Sequence, residues 1–341
     1  MEVQTISARF VNALLTGASK HAQGVEDAAD HEKWLTRIGL SPALLELEGT
    51  RITMSKFAQL YRILAIELND ETPGLFSRPL RNGTLKYMCM IMLDAPDLGV
   101  ALNRFCNFFR LVNDDVAYTV STCPNGLIKI EIEEKYNLGP TRIWTLELLL
   151  MLVQGVSSWL IDRKIPFESI SFPFAQPAHA SEYEQLYPGP IVFNQDETAL
   201  YMDPIYLREP IRKDQSVLNE FIRNAPLNWF YFSPNDRPYT HQLRHYLQDR
   251  LHKNLTIDDV ALVQHISPRT LARRLASEST TFQKTKDKLR RDIAIDLLNK
   301  TDTPIATIGT HLGFEDPAAF NRAFKLWTGS APGAYRKQTI Q

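Results

Sequence analysis

LTIDDVALVQHISPRTLARRLA, residues 255–276, and TPIATIGTHLGFEDPAAFNRAFKLW, residues 303–327, share one plan. Each reads as a short helix, a tight connection and a second helix that opens on a capping residue. In the first, Asp258, Asp259 and Val260 begin the short helix, the Ser267 hydroxyl can cap the next, and Pro268 suits its first position. Leu271 and Leu275 are four residues apart and form an inward face, while Arg269 and Arg273 repeat the spacing on another face. In the second, Asp316 caps and Pro317 follows. Phe320, Phe324 and Trp327 form the apolar stripe, and the opposite face presents Ala318, Asn321 and Arg322. Gly313 supplies freedom at the turn. These are two helix-turn-helix units, a motif whose second helix lies in the DNA major groove.

The side chains on the outward faces have base-reading chemistry. A guanidinium pairs with guanine O6 and N7 or with phosphate, an asparagine amide pairs with adenine N6 and N7, and alanine packs on a thymine methyl. Arg269 and Arg273 are thus candidate readers in the first unit, and Asn321 with Arg322 in the second. Arg274 points elsewhere and suits a phosphate. Between the units, residues 282–299 form a long helix with Leu289, Ile293, Leu297 and Leu298 on its apolar side. Lys284, Lys286, Lys288, Arg290 and Arg291 are either a solvated face or a phosphate-touching spacer.

Charge distribution agrees with this placement. Residues 236–341 hold 17 Lys/Arg against 11 Asp/Glu, a net +6, whereas the other 235 residues carry −7. A basic C-terminal third beside an acidic body suggests one nucleic-acid-binding domain and one domain with another task.

The first 200 residues mix helices and strands. Helices are expected around Phe10–Leu15, over residues 53–69, and from a cap at Asp97 through Phe109. Strands at 116–121 and 127–133 flank CPNG, residues 123–126, which has hairpin chemistry. Further strands are expected at 169–172, 191–193 and 199–202. The stretch 143–161, IWTLELLLMLVQGVSSWLI, approaches spanning length but contains Glu147 and Gln154, which favours a buried core or dimer-interface helix over a membrane span. Prolines then punctuate residues 203–237, with a short helix at 211–223. The expected organisation is an α+β sensor or dimerisation domain (1–202), a linker region (203–236), and an all-α DNA-binding domain (237–341) whose two helix-turn-helix units are joined by a long helix.

Other constellations are weak. Cys89, Cys106 and Cys123 lack a metal-ligand pattern, and their sparse count fits reduced thiols. The N-terminus has no export signal pattern, which with the thiols suggests a cytoplasmic protein. His241 and His245 stand four apart, but no metalloprotease glutamate or third ligand accompanies them. The carboxylate pairs Asp114–Asp115 and Glu133–Glu134 point to opposite faces of a strand. Arg78, Arg81 and Lys86 surround PLRNGT, either as an anchor for an anionic effector or, the reading favoured, as a basic surface loop. Nothing supports an enzyme, a cofactor or a metal, and the effector-binding residues are unknown.

Residues 237–337 resemble the DNA-binding domain of AraC/XylS-type transcription regulators. The resemblance rests on HLGFEDPAAFNRAFKLWTGSAPGAYRK, residues 311–337, on SPRTLARRL in the first unit and on RRDIAIDLL in the long helix. Three positions depart from the family pattern. His265 stands where a turn glycine is common, Ser279 where a glycine usually precedes a small residue, and Gly309 where a helix alanine is usual. By position, the resemblance implies base-reading sites at Arg269, Ala272 and Arg273, and at Pro317, Ala318, Asn321 and Arg322. The poorer hydrogen-bonding of Pro317 and Ala318 implies that specificity leans on the first helix. The segments at residues 71–112 and 192–210 are similar to the arabinose-binding-like sensor domain of a subgroup containing ornithine-utilisation regulators, without implying arabinose. The resemblance implies a bacterial activator of promoter DNA that contacts RNA polymerase and senses a small-molecule effector, forms a homodimer, or both. The alternative is a constitutive or architectural DNA-binding protein with an N-terminal oligomerisation domain and no effector.

Overall fold

The computed structural model describes residues 4–21, 27–47, 49–187, 189–227, 238–278 and 280–337. The departure at Ser279 and the part of the expected linker at residues 228–236 fall outside them. The chain divides into two compact units.

One unit comprises residues 9–27 and 58–232. Its five-stranded sheet has the order β3-β4-β7-β5-β6, with β3 Val116–Thr122, β4 Ile128–Glu134, β5 Phe167–Ser171, β6 Ile191–Val192 and β7 Thr198–Met202. All neighbours are antiparallel except β5 and β6. CPNG closes the β3–β4 hairpin. The Cys123 N–H donates to the Leu127 carbonyl at 2.8 Å, and Gly126 adopts φ 85°. Alternate residues Ile128, Ile130 and Ile132 are buried, while Lys129 and Glu131 face outward, the period-two pattern of a sheet with one covered face.

Its longer helices are α1 (Arg9–His21), α3 (Met54–Glu67, shared with the other unit), α4 (Thr84–Leu93), α5 (Leu98–Val112), α6 (Arg142–Leu160) and α7 (Gln215–Asn224). Asp97 caps α5 by accepting from the Val100 N–H at 2.9 Å, as the sequence predicts. At the PLRNGT loop the first amides of α4 already have an acidic partner. Glu71 already accepts from the Gly83 and Leu85 N–H groups at 2.8 and 2.7 Å, filling the α4 N-terminus, and burial raises its pKa.

Helix α6 holds the apolar stretch of near-spanning length. Its most apolar window is 83% buried inside the protein. Glu147, 1% exposed, resides there because its carboxylate accepts from the Tyr183 hydroxyl and lies 2.7 Å from His179 Nε2. The Tyr187 hydroxyl donates to the Glu147 carbonyl at 2.9 Å. A buried acid is tolerated when it is hydrogen-bonded, and these partners lie more than thirty residues away in sequence.

The second unit comprises residues 1–8, 28–57 and 233–341. It contains α2 (Asp27–Arg37), the antiparallel pair β1 (Thr5–Ser7) and β2 (Arg51–Thr53), and, among the described residues, seven C-terminal α-helices: α8 Pro238–Gln248, α9 Ile257–Val263, α10 Pro268–Ser277, α11 Phe282–Lys300, α12 Ile305–His311, α13 Pro317–Thr328 and α14 Pro332–Lys337. Two N-terminal pieces of chain therefore share a compact unit with the helix-turn-helix region.

Their junction is polar. Asp292 on α11, 3% exposed, accepts from the Thr5 hydroxyl at 2.6 Å and pairs with Arg244 at 3.2 Å and Arg291 at 3.0 Å. The Arg51 guanidinium reaches the Thr5 hydroxyl at 2.9 Å and the Thr5 carbonyl at 2.8 Å, and the Tyr335 ring meets the Arg51 backbone through its hydroxyl. Burial pushes the Asp292 carboxyl up. The guanidiniums of Arg291, Arg244 and Arg51, with the Thr5 hydroxyl, more than offset this and hold its pKa below the usual aspartate value.

Candidate nucleic-acid interface

Helices α9 and α10 form the first helix-turn-helix. Thr256 caps α9 in a reciprocal box. Its N–H donates to the Asp259 carboxylate at 2.7 Å, and Asp259 N–H returns to the Thr256 hydroxyl at 3.3 Å. The turn passes through His265 at φ 55°, the left-handed region, so the departure from glycine falls on a position whose backbone favours glycine. Ser267 then caps α10, accepting from the Thr270 N–H at 3.1 Å, and Pro268 opens the helix.

Leu271 and Leu275 are fully buried, and Val260 and Ala261 of α9 lie with them in the core. The opposite face of α10 is free. Arg269, Ala272 and Arg273 are exposed together, one turn of helix apart. Arg274 is half-buried, its guanidinium 4.8 Å from the centre of the Tyr239 ring, a cation–π stack.

Helices α12 and α13 repeat the arrangement. Gly313 makes the turn at φ 80°, and a Cβ there would lie 2.2 Å from the Leu251 carbonyl oxygen, so both backbone angle and space demand glycine. Asp316 caps α13, accepting from Ala318 and Ala319 N–H at 3.0 and 3.2 Å. Phe320 and Phe324 are fully buried. Trp327, expected in the same stripe, is half-buried instead and rests 5.9 Å from the Phe314 ring. Pro317, Ala318, Asn321 and Arg322 are all exposed. Gly309 of α12 is buried against Phe320. A Cβ there would approach the Phe320 Cβ to 3.1 Å, so the absent methyl group makes room for an aromatic ring.

The basic residues of α11 divide differently from either sequence reading. Lys286 and Arg290 point inward, at 5% and 7% exposure. Lys286 Nζ donates to the Asn254 side-chain oxygen and the Leu255 carbonyl, both at 2.8 Å. Arg290 Nε donates to the Leu312 carbonyl at 2.9 Å, another of its nitrogens reaches Asn254 at 3.1 Å, and its guanidinium lies 4.8 Å from the Phe314 ring centre. One arginine thus holds the turn before α9 and the turn between α12 and α13. Burial, and then the neighbouring Arg290, lower the Lys286 pKa to about 8. Lys284 remains exposed.

The sequence reading does not single out Lys286 or Arg290 as positioning residues. Helical periodicity could have flagged them, because Leu289 and Ile293 flank them on the covered side. Among the described residues, no group of three His, Cys, Asp or Glu side chains could hold a metal ion. His241 and His245 lie with ring centres 6.4 Å apart.

Comparison with known proteins matches two stretches of the chain. Residues 29–211 match the model of the arabinose-binding domain of AraC transcription regulators, N-terminal, and residues 260–338 match a helix-turn-helix domain. The chain is 25% identical over 301 residues to the ornithine utilization regulator of Pseudomonas aeruginosa, covering 87% of each chain. It is 32% identical over 94 residues to the arabinose operon regulatory protein of Escherichia coli, covering 27% of this chain and 32% of that one. Among solved structures, the transcriptional regulator CdpR of Pseudomonas aeruginosa aligns over 96% of this chain and 97% of its own, at 18% identity and a TM-score of 0.34. The chain belongs to the AraC-type transcription regulators, with the family's arabinose-binding-type N-terminal domain and a DNA-binding helix-turn-helix domain at its C-terminal end.

Proposed function

We propose that this protein is a sequence-specific activator of bacterial transcription, acting in the cytoplasm, whose helices α10 and α13 enter successive major-groove segments of promoter DNA. The observation that carries the reading is the pairing of two exposed polar helix faces, Arg269, Ala272 and Arg273 on one and Ala318, Asn321 and Arg322 on the other, each opposite a fully buried apolar stripe. In this reading Arg273 and Arg269 seek guanine, Asn321 seeks adenine, Arg322 adds a second contact, and Ala272 and Ala318 pack against thymine methyls. Arg274, already stacked on Tyr239, serves a phosphate. Arg290, bonded to Asn254 before α9 and to the Leu312 carbonyl before α13, is assigned the role of holding the two readers in register. RNA polymerase, the partner that the family resemblance implies, is assigned here as the protein contacted at the promoter.

Binding measured against a panel of single-base variants tests the reading. Arg273→Ala should lose about 1–3 kcal/mol at one base pair and little elsewhere. Equal weakening on every sequence, with a shallower salt dependence, would instead make Arg273 a phosphate contact.

The N-terminal domain is assigned a sensing and dimerising role. A ligand that binds only the folded state raises its stability, so thermal shift with a metabolite panel tests the sensing part. L-ornithine heads the panel because a 25% identical relative is an ornithine utilization regulator. A panel without any shift would favour the constitutive reading.

A further inference from the structure

Helix α6 turns one polar face toward a single excursion of the chain. Residues 172–190 leave β5 and return at β6, and they supply the partners of that face. The Tyr183 hydroxyl and His179 Nε2 both meet Glu147 Oε1, and the Gln154 amide donates to the Leu186 carbonyl at 3.2 Å. Glu147 and Gln154 are seven residues apart, so they share a face with about 10 Å between them along the helix axis.

Polar atoms on this face are left without a partner. Both bonds to the Glu147 carboxylate fall on Oε1, and Oε2 accepts none from the described residues. Gln154 Oε1 and, one turn on, Ser157 Oγ are buried without a hydrogen-bond partner. Buried polar atoms are nearly always paired, and an orphaned one carries its full desolvation cost. Two acceptors on one face, one of them a carboxylate, suit a cation that has more than one donor.

His179 stands where such a cation would. Its ring lies edge-on to Phe10 and Tyr183, with ring centres 5.3 and 5.6 Å apart, and Phe10 packs on Trp144 at 5.2 Å. A carboxylate walled by aromatic rings attracts an organic cation through charge and through the ring faces. The Glu147 side chain is 1% exposed and that of His179 13%, so the imidazole is the outer member of the pair. Its ring has no second hydrogen-bond partner among the described residues.

We infer that this face of α6 binds a small organic cation, a protonated amine with a second donor group, and that His179 occupies the place as a tethered stand-in. The ammonium displaces the imidazole at Glu147, and the second donor reaches Gln154 Oε1. Tyr183 and Leu186 belong to the same excursion as His179, so displacement shifts the cover of the site and gives binding a structural readout.

The inference rests on the sensing role assigned to this domain. Its test uses the full chain without DNA and three probes, putrescine, cadaverine and 4-aminobutanol, with 1,4-butanediol as the uncharged counterpart. At least one amine should raise the melting temperature of the wild type, and the diol should not. Glu147→Gln keeps the size and an acceptor for Tyr183 but removes the charge, and calorimetry should show that amine weakened about tenfold or more. His179→Ala should tighten it about tenfold or more, because a tethered competitor reduces apparent affinity by the fraction of chains it leaves open. A purely structural histidine would not give tighter binding. Circular dichroism checks that each variant is folded, and the wild-type and Glu147→Gln results stand without His179→Ala. Amines that shift neither the wild type nor His179→Ala overturn the site. So does binding that survives Glu147→Gln undiminished, or that a folded His179→Ala weakens. If the amines fail while an uncharged or acidic metabolite shifts the wild type, the cation site falls and the sensing role stands. If no metabolite shifts it, both fall.

Discussion

Replacing Asp292 by alanine should detach strands β1 and β2 from the helix-turn-helix unit. The carboxylate accepts from Thr5 at 2.6 Å and pairs with Arg244 and Arg291, whose side chains are 10% and 12% exposed. Removing one partner of a buried ionic cluster leaves the remaining charges desolvated and costs about 3–5 kcal/mol. Thr5→Val keeps the shape and deletes the hydroxyl that joins Asp292 to Arg51. Loss of a hydrogen bond to a charged group costs about 1.5–3 kcal/mol. Native-state hydrogen exchange resolves the effect by segment. Amides of residues 5–7 and 51–53 should lose protection by these amounts in the two variants, and the double variant should lose less than the sum because the residues touch. The effect also has a pH signature. The folded-state pKa of Asp292 lies below its unfolded value, so its stabilisation is complete above the unfolded pKa of about 3.9 and disappears as pH falls through the folded value. Asp292→Ala should flatten this acid loss. A cost below 1 kcal/mol, or unchanged exchange in β1 and β2, would refute the view that this cluster holds the N-terminal strands.

Gly313→Ala should destabilise the second helix-turn-helix by at least 2 kcal/mol or so, since a Cβ meets the Leu251 carbonyl at 2.2 Å and positive φ disfavours a side chain. Denaturation followed through Trp327 checks it, and an unchanged midpoint would contradict the turn geometry. Lys286 should titrate near pH 8 in a side-chain NMR experiment, because burial lowers its pKa from 10.5. Between about pH 8 and 10.5 the unfolded chain binds more protons at this residue than the folded one, so its contribution makes stability rise with pH across that window. A titration near 10.5 would mean that the ammonium is solvated.

Local chemistry made much of this molecule legible. Ser267–Pro268 and Asp316–Pro317 announce helix starts because a cap and a fixed φ act within four residues. CPNG announces a hairpin for the same reason. Periodicity separated Leu271 and Leu275 from Arg269 and Arg273, and the structure keeps those faces apart. What sequence concealed is what opposes each face. Lys286 and Arg290 look like solvated charges until Asn254, Leu255 and the Leu312 carbonyl are brought beside them. β1 and β2 have three residues each, too few for a period, and their pairing crosses more than forty residues. Glu147 looked costly in an apolar helix because nothing nearby in the sequence announced His179 and Tyr183.

The assembly of the helix-turn-helix unit from three separate pieces of chain has a consequence for synthesis. Thr5 emerges from the ribosome 287 residues ahead of Asp292. At about 5–20 residues per second, the N-terminal strand waits roughly 15–60 s for the helix that holds it, while the whole sheet-containing unit is made in between. The pieces 1–8 and 28–57 therefore spend translation without their final neighbours, and the DNA-reading unit is the last to close. A nonsense or frameshift product that stops before α11 leaves these pieces permanently without their partner helix, an exposed substrate for proteolysis.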